Sequence, residues 1–94
     1  MTQKMRSWLF APGDSEKKMG KAIASEADIA LLDLEDSVTP ANKPSARQMV
    51  ADTLKAADDT SRIWVRVNPL DTHDAIADLT AVVGAKPGGV VLPK

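Results

Sequence analysis

Three carboxylates stand within four positions of the sequence, directly after a strongly apolar run. The stretch IALLDLEDSV, residues 29–38, contains Asp33, Glu35 and Asp36. A second apolar run, RIWVRVN at residues 62–68, carries Arg66 near its end. A planar guanidinium binds a carboxylate through two parallel hydrogen bonds, whether the acid belongs to the protein or to a substrate. Acids and an arginine at the ends of two neighbouring strands therefore predict a charged site.

Each acid taken alone has a plainer explanation. A carboxylate at a strand end often forms an ion pair or caps the next segment, and Asp36 could accept hydrogen bonds from the N–H groups of the loop that follows it. Three acids at one strand end, opposite an arginine at the end of the next strand, favour a site instead.

The elements that must hold these residues alternate regularly along the chain. Apolar runs predict strands at 6–11, 28–34, 62–68 and 89–93, and helical spacing predicts helices at 15–26, 42–57 and 72–84. Asp14 or Ser15 is expected to cap the first helix. We expect the third helix to bury Ile76, Leu79 and Val83 and to stop at Gly84.

Strands separated by helices require parallel pairing with right-handed crossovers, which predicts an α/β fold. The turn after the first strand, FAPGDSEKK, lacks the glycine-rich phosphate motif of nucleotide-binding sheets. We therefore expect the first half, four strands and three helices, of a TIM (β/α)8 barrel. Such a barrel takes about 250 residues, so residues 1–94 are expected to form one partial barrel domain that continues in a longer enzyme. A half-barrel that pairs with a partner chain remains the alternative.

Side chains alternate along a strand, which fixes the direction of the charged groups. If the aliphatic residues Leu32, Leu34, Val65 and Val67 face the helices, then the carboxylates and Arg66 face the barrel axis. The hydrophobic strand would then serve as a rigid support for the acids.

Composition excludes several classes of function. The chain has 12 Lys and Arg against 13 Asp and Glu, a net charge of -1, which does not favour nucleic acid or an anionic membrane as a partner. It has no cysteine, so disulfides and thiolate catalysis are excluded. No apolar run is long enough for a signal peptide or a membrane span, and we expect a cytoplasmic protein. His73 is expected to be a solvated residue at a helix start, whereas Lys17, Lys18 and Lys21 either form a solvated helix face or steer phosphates.

The motifs RSWLFAPGDSEKK, LLDLEDSV, KPSAR, VRVNPLDT and LPK, in this order and spacing, resemble the citrate lyase β-subunit family of HpcH/HpaI-type aldolases, which includes malyl-CoA and citramalyl-CoA lyases. The resemblance runs from Arg6 to Lys94. It implies the first half of a (β/α) barrel, in agreement with the order of elements.

The resemblance also implies roles for individual residues. Arg66, in the VRxN strand, would bind the carboxylate or carbonyl oxygen of an acyl substrate, and Glu35 and Asp36 of the LED motif would order the site around it and metal-bound water. Phe10 and Lys21 would contact coenzyme A. The family has a basic residue just after the PG turn where this chain has Ser15.

The implied reaction is magnesium-dependent cleavage of a carbon-carbon bond in a 3-hydroxyacyl thioester of citryl, citramalyl or malyl type, giving an acyl thioester and a keto acid. The family's metal ligands are a Glu and an Asp on later strands, so no metal ligand is expected in residues 1–94 and this segment alone is expected to be inactive. The resemblance implies a homo-oligomer, with other citrate lyase subunits as possible partners. A non-catalytic half-barrel that binds a thioester or completes a partner chain is the alternative.

Overall fold

The computed structural model describes residues 7–93, which form a four-stranded parallel sheet and three helices. In chain order the elements are β1 (Trp8–Pro12), α1 (Glu16–Ala24), β2 (Ile29–Asp33), α2 (Lys43–Ala56), β3 (Ile63–Arg66), α3 (His73–Gly84) and β4 (Gly89–Val91), with a 3₁₀ turn, Pro40–Asn42, directly before α2. The predicted alternation is confirmed, and each described boundary lies within two positions of its prediction. Arg6 and Lys94, at the ends of the resemblance, lie outside the described residues.

The strands are parallel and follow the order β1-β2-β3-β4. Their register sets Asp33 opposite Pro12 on one side and opposite Arg66 on the other. Val91 of β4 is the register partner of Arg66. Because parallel strands end at the same edge of a sheet, these residues share its carboxyl edge.

The core fills the space between the sheet and the helices. Leu32 and Val65 in the strands, and Leu34 and Val67 just beyond them, are at most 1% exposed. The helices add these residues to the same cluster: Met19, Ala22, Ala46, Val50, Ala51, Leu54 and Val82. Burying a valine, leucine or methionine side chain contributes about 1.5–3 kcal/mol. The aliphatic residues of β2 and β3 therefore face the helices, as predicted, and Asp33 and Arg66 face the opposite side.

The turn between β1 and α1 is tight where it passes β2. The amide of Gly13 donates to the carbonyl oxygen of Asp33 over 2.7 Å. A Cβ at this position would lie 2.8 Å from that oxygen, so only glycine permits the approach. Of the two residues expected to cap α1, Ser15 does so: its Oγ accepts a hydrogen bond from the amide of Lys18.

The buried face of α3 differs from the prediction. Of the three residues predicted to be buried, Leu79 packs against the core and is partly buried, but Ile76 and Val83 are 71% and 59% exposed. Ala75, Asp78 and Val82 are buried instead. The helix is rotated by about one residue because Asp78 forms an ion pair and hydrogen bonds beneath it. The ion pair and hydrogen bonds of Asp78 therefore determine which face of α3 is buried, and the spacing of its aliphatic residues does not.

The end of α3 lies where it was predicted, but the chain reverses further on. Gly84 is the last helical residue, and Ala85 follows it in a right-handed conformation. The left-handed residue is Lys86, with a φ of 56°. Gly84 therefore does not supply the left-handed backbone that commonly follows a helix, because that conformation occurs two residues later.

Aromatic side chains occupy the sheet face opposite the helices. The rings of Trp8 and Trp64 meet edge to face, with centroids 5.4 Å apart. Gly89 lies beneath the indole of Trp64, and a Cβ on Gly89 would stand 2.6 Å from the ring carbons of that indole. None of the helices formed by residues 7–93 is long and apolar enough to cross a membrane.

Candidate functional site

Asp33 and Arg66 form a bidentate pair across β2 and β3. Nε of Arg66 donates to Oδ1 of Asp33 over 2.9 Å, and Nη2 donates to Oδ2 over 2.8 Å. The side chain of Asp33 is 3% exposed and that of Arg66 is 22% exposed. The acid is therefore buried beneath the sheet edge, while part of the guanidinium reaches the surface.

The loop after β2 wraps around the carboxylate of Asp33. The amides of Glu35 and Ser37 and the hydroxyl of Ser37 donate to it over 2.9, 3.0 and 2.8 Å. Burial by itself raises the pKa of Asp33, but the hydrogen bonds from Arg66 and from the loop outweigh it and hold the pKa well below its usual range. The capping role considered for Asp36 belongs to Asp33.

Glu35 and Asp36 lie above this buried pair. Oε1 of Glu35 is 3.7 Å from Nε of Arg66. Burial, together with a hydrogen bond and charge repulsion from Asp36, raises the pKa of Glu35, although Arg66 opposes the change. The structure therefore brings together Glu35, Asp36 and Arg66, the three residues to which the resemblance assigns roles at the acyl substrate.

Arg66 is held on a third side by Phe10, whose ring centroid lies 5.7 Å from the guanidinium carbon. The hydrogen bond to Asp33 raises the pKa of Arg66, so the guanidinium stays charged. Its Nη1 makes no hydrogen bond to any residue between 7 and 93. Two N–H groups on a fixed, charged side chain are thus available to a ligand.

Arg66 lines a cleft of about 420 Å³ at the carboxyl edge. Its walls are Glu35, Asp36 and Arg66 on one side and the end of β4, Val91 to Pro93, on the other. The cleft joins one cation, two acids and an apolar wall. Such a site can hold a small carboxylate or carbonyl compound with its polar end on Arg66.

The remaining sequence candidates lie elsewhere. Lys21 is exposed in the last turn of α1, and since α1 starts at the carboxyl edge and runs back along the sheet, that turn lies away from the cleft. The contacts of Lys21 and Phe10 with coenzyme A that the resemblance implies stay predictions. His73 is exposed at the first position of α3, as expected.

Sequence reasoning missed a second polar network behind the cleft. Nζ of Lys43 donates to the carbonyl oxygens of Leu34 and Glu35 and to Oδ1 of Asn68. Asn68 in turn donates to Asp78 through both its amide and its side chain. The signal available was Asn68 itself, a polar residue two positions after Arg66. Alternation along the strand predicts its side chain on the same face as Arg66, and that prediction is wrong, since Asn68 binds Lys43 and Asp78 on the helix side.

Arg47 completes this network on the outside. Its Nε donates to Oδ1 of Asp78 over 2.9 Å, and its Nη2 donates to Oδ1 of Asp74 over 3.2 Å. Asp78 is 0% exposed, so an ion pair joins α2 to α3 within the interior. No pattern in the sequence indicated this pair, because Asp78 stands among alanine and leucine on a helix with amphipathic spacing.

Metal-ligating side chains do not converge in the described part of the chain: no group of three His, Cys, Asp or Glu residues could hold an ion there. Asp33 is already saturated by its five hydrogen bonds. Glu35 and Asp36 alone do not make a magnesium site.

Known proteins match nearly the whole chain. The citrate lyase subunit β-like protein of Mycobacterium tuberculosis is 44% identical over 87 residues, which is 93% of this chain and 30% of that protein. A (3S)-malyl-CoA thioesterase of Cereibacter sphaeroides is 41% identical over 95% of this chain and 32% of its own length. The mitochondrial citramalyl-CoA lyase of Rattus norvegicus is 38% identical, over 95% and 27%. The chain thus spans about a third of the length of these relatives.

Solved structures of related proteins also match the fold. The protein CitE of Mycobacterium tuberculosis in complex with magnesium and acetoacetate superposes with a TM-score of 0.81 at 44% identity, covering 93% of this chain and 35% of that one. A complex of the same protein with magnesium, acetoacetate and coenzyme A gives 0.76 at 42% identity, covering 93% and 31%. The predicted fold class, four strands and three helices of a TIM-type barrel, is confirmed. The HpcH/HpaI aldolase/citrate lyase profile matches residues 6–94, and the chain belongs to that family.

Proposed function

We propose that this chain forms the β1 to β4 part of a magnesium-dependent carbon-carbon lyase. The substrate is a 3-hydroxyacyl thioester of citryl, citramalyl or malyl type, and the products are an acyl thioester and a keto acid. Family membership supports the reaction class. Because the chain spans about a third of its relatives, we propose that further strands of the same barrel complete the site.

The observation that carries this proposal is the state of Arg66. Its Nε and Nη2 are held by Asp33, its face lies over Phe10, and the side chain lines the cleft with Nη1 free of hydrogen bonds to residues 7–93. An arginine fixed in this way binds a carboxylate or carbonyl oxygen without first losing side-chain freedom. Charge that develops on that oxygen during bond cleavage is stabilised by the same N–H groups.

Glu35 and Asp36 supply the negative side of the proposed site. They lie beside Arg66 at the cleft, where burial, together with a hydrogen bond and charge repulsion from Asp36, raises the pKa of Glu35. We assign them the role of ordering polar groups around the reacting end of the substrate. Coenzyme A would approach along the sheet face that carries Phe10, which is 55% exposed.

Magnesium is proposed by analogy with the solved relatives, whose complexes contain it. A bound divalent cation would polarise the thioester oxygen and stabilise an enolate. Residues 7–93 do not by themselves provide its ligands, so the carboxylates that bind it would come from other strands.

The test is product analysis with the purified full-length protein and three thioesters: citryl-CoA, citramalyl-CoA and malyl-CoA. We expect one of them to give a carbonyl acid and acetyl-CoA in equal amounts, and chelation of magnesium to abolish the reaction. Binding of a thioester without any cleavage would support a non-catalytic module instead. Absence of both binding and cleavage would refute the proposal.

A second candidate is thioester hydrolysis, which is favoured by the relatives named (3S)-malyl-CoA thioesterase. Hydrolysis releases free coenzyme A and leaves the hydroxy acid intact, whereas lysis leaves the thioester bond intact. A thiol reagent added to the same reaction distinguishes the two outcomes directly. Thiol release without a carbonyl product would assign the chain to the thioesterases.

A further inference from the structure

Lys43 is placed against the usual preference for charge at a helix start. It is the first residue of α2, whose first turn contains no acid, although the positive end of the helix dipole favours carboxylates at that position. Its ammonium forms no ion pair with any residue of the described chain. A lysine that conflicts with the helix dipole and has no acidic partner nearby is expected to have a role elsewhere in the fold.

The partners of Lys43 show where that role is. All three of its hydrogen bonds go to uncharged oxygens: the carbonyls of Leu34 and Glu35, at 3.0 and 3.1 Å, and Oδ1 of Asn68, at 2.6 Å. The two carbonyls belong to the peptide groups that directly precede Glu35 and Asp36. Fixing those peptide planes fixes the direction in which both acidic side chains leave the backbone.

Asp33 holds the same loop from the other side. Its carboxylate accepts the amides of Glu35 and Ser37. The peptide group between Leu34 and Glu35 is therefore bound at its carbonyl by Lys43 and at its amide by Asp33. A loop segment clamped at both ends of one peptide bond has little freedom to turn its side chains away from the cleft.

The lysine is itself aimed by buried groups. Asn68 is 3% exposed, and its Nδ2 donates to the carbonyl of Leu34 and to Oδ2 of Asp78 over 3.0 and 2.6 Å. These contacts fix the side-chain amide so that Oδ1 points to Lys43. Asp78 is fixed in turn by Arg47. The network reaches from the helix layer to the edge of the cleft without a break.

We propose that Lys43 is a positioning residue for the acidic pair Glu35 and Asp36, and that Asn68 and Asp78 hold it in place for this task. The inference deepens the proposed function and rests on it for the identity of the reaction. Lys43 is not among the residues that line the cleft, and it acts through the backbone of the loop.

The test uses three variants of the full-length protein. Lys43→Met removes the ammonium and keeps the aliphatic stem, Lys43→Arg keeps a positive donor, and Lys55→Met makes the same change at an exposed lysine near the end of the same helix. We expect Lys43→Met to lower kcat at least tenfold with KM changed less than threefold. Lys43→Arg should recover most of the loss, and Lys55→Met should match the parent protein.

Hydrogen exchange separates this inference from the proposed function. In Lys43→Met the amides of Glu35 and Ser37 should exchange at least tenfold faster, while amides in the middle of β2 and β3 keep their rates. If the parent protein cleaves no thioester, the proposed function fails and the exchange result alone decides on the positioning role. Unchanged exchange at residues 35–37, or faster exchange throughout the sheet, would overturn the inference, as would an unchanged kcat in an active enzyme.

Discussion

Two aspartate-arginine pairs lie on opposite sides of the same sheet. In both, Nε of the arginine donates to Oδ1 of the aspartate over 2.9 Å. Asp33 pairs with Arg66 on the aromatic face, and Asp78 pairs with Arg47 between α2 and α3. The two acids are almost equally buried, at 2% and 0%. Distance and burial alone therefore do not distinguish a binding site from a structural cross-link.

The difference lies in what surrounds each arginine beyond its buried aspartate. Nη2 of Arg47 reaches another protein acid, Asp74. Arg66 binds Asp33 twice, lies 3.7 Å from Glu35, and lines a cleft together with Glu35, Asp36 and apolar residues. Neither arginine makes a hydrogen bond from Nη1 to residues 7–93, so the two differ in their surroundings: Arg47 bridges acids on one helix, whereas Arg66 lines a cleft.

Replacing Arg66 should produce the largest effect on activity. A lysine at this position would keep the charge near Asp33 but lose the planar fork, so in Arg66→Lys we expect kcat/KM for thioester cleavage to fall by about 10² to 10³. The free energy of unfolding should drop by only about 1 kcal/mol. Steady-state kinetics and urea unfolding measure the two quantities.

Arg62→Lys is the matched control for that change. Arg62 stands just before β3 and donates to the carbonyls of Ser25 and Ala27, at the opposite edge of the sheet. Its replacement removes the same fork and should leave kcat/KM unchanged within about twofold. Equal losses in both variants would mean that Arg66 acts through the fold rather than on the substrate.

Breaking the other pair should change stability instead. Arg47→Met leaves Asp78 buried without its cation, and removing one partner of a buried ion pair costs about 3–5 kcal/mol. Asp74→Asn removes only the outer contact, where the side chain is 43% exposed, and should cost less than about 1 kcal/mol. Urea unfolding of both variants decides whether the inner pair carries the cross-link. Similar losses would contradict that division.

The two pairs also differ in how far the sequence predicted them. Asp33 and Arg66 stand at the ends of apolar strands, and since parallel strands end together, their meeting followed from the order of elements. Asp78 stands inside an amphipathic helix pattern, where Ile76 and Val83 looked like the buried face. Period alone could not show that α3 turns a carboxylate inward, because that choice depends on Arg47 and Asn68, which are distant in sequence.

Within the site, residue types were predictable and contacts were not. Glu35, Asp36 and Arg66 were identified, and the structure places them at one cleft. The hydrogen bonds of the loop to Asp33 depend on the path of five consecutive residues, which no periodicity encodes. The placement of Lys43 under that loop depends on the same path.

Two carboxylates beside Arg66, those of Asp33 and Glu35, should change the free energy of unfolding with pH in opposite directions. The pKa of Asp33 is lowered from 3.8, so below about pH 4 the unfolded chain binds a proton that the folded chain refuses, and acid weakens the fold. The pKa of Glu35 is raised from 4.5, so between neutral pH and about pH 4.5 the folded chain takes up the proton first, and acid strengthens the fold.

Glu35→Gln isolates the second of these effects. The difference in unfolding free energy between the parent protein and this variant should grow in favour of the parent as the pH falls from about 7 to about 4.5, with a slope of at most about 1.4 kcal/mol per pH unit. Urea unfolding at several pH values across this range measures it. Parallel pH curves for the two proteins would show that Glu35 titrates normally and that the acidic pair is less crowded than its geometry indicates.

The end of α3, which lies apart from both pairs, should show the smallest effects. Lys86 has a left-handed backbone, in which a side chain costs about 1 kcal/mol, so Lys86→Gly should raise the free energy of unfolding by about 0.5–1 kcal/mol. Gly84 is helical, and a Cβ there would meet no atom within 4 Å. Gly84→Ala should therefore also stabilise the chain, by about 0.5–1 kcal/mol.

Together these two variants test whether Lys86, as in the structure, or Gly84, as helix-ending patterns in the sequence favour, is the left-handed residue after α3. If Gly84 were the left-handed residue that reverses the chain after α3, alanine there would be strained and Gly84→Ala would destabilise the protein, while Lys86→Gly would bring no relief. The signs of the two changes therefore decide which residue makes the reversal, whatever their exact size. Because neither residue reaches Asp78 or the cleft, a change in kcat/KM for either variant would show that the end of α3 is coupled to the site, which the separation of the two aspartate-arginine pairs argues against.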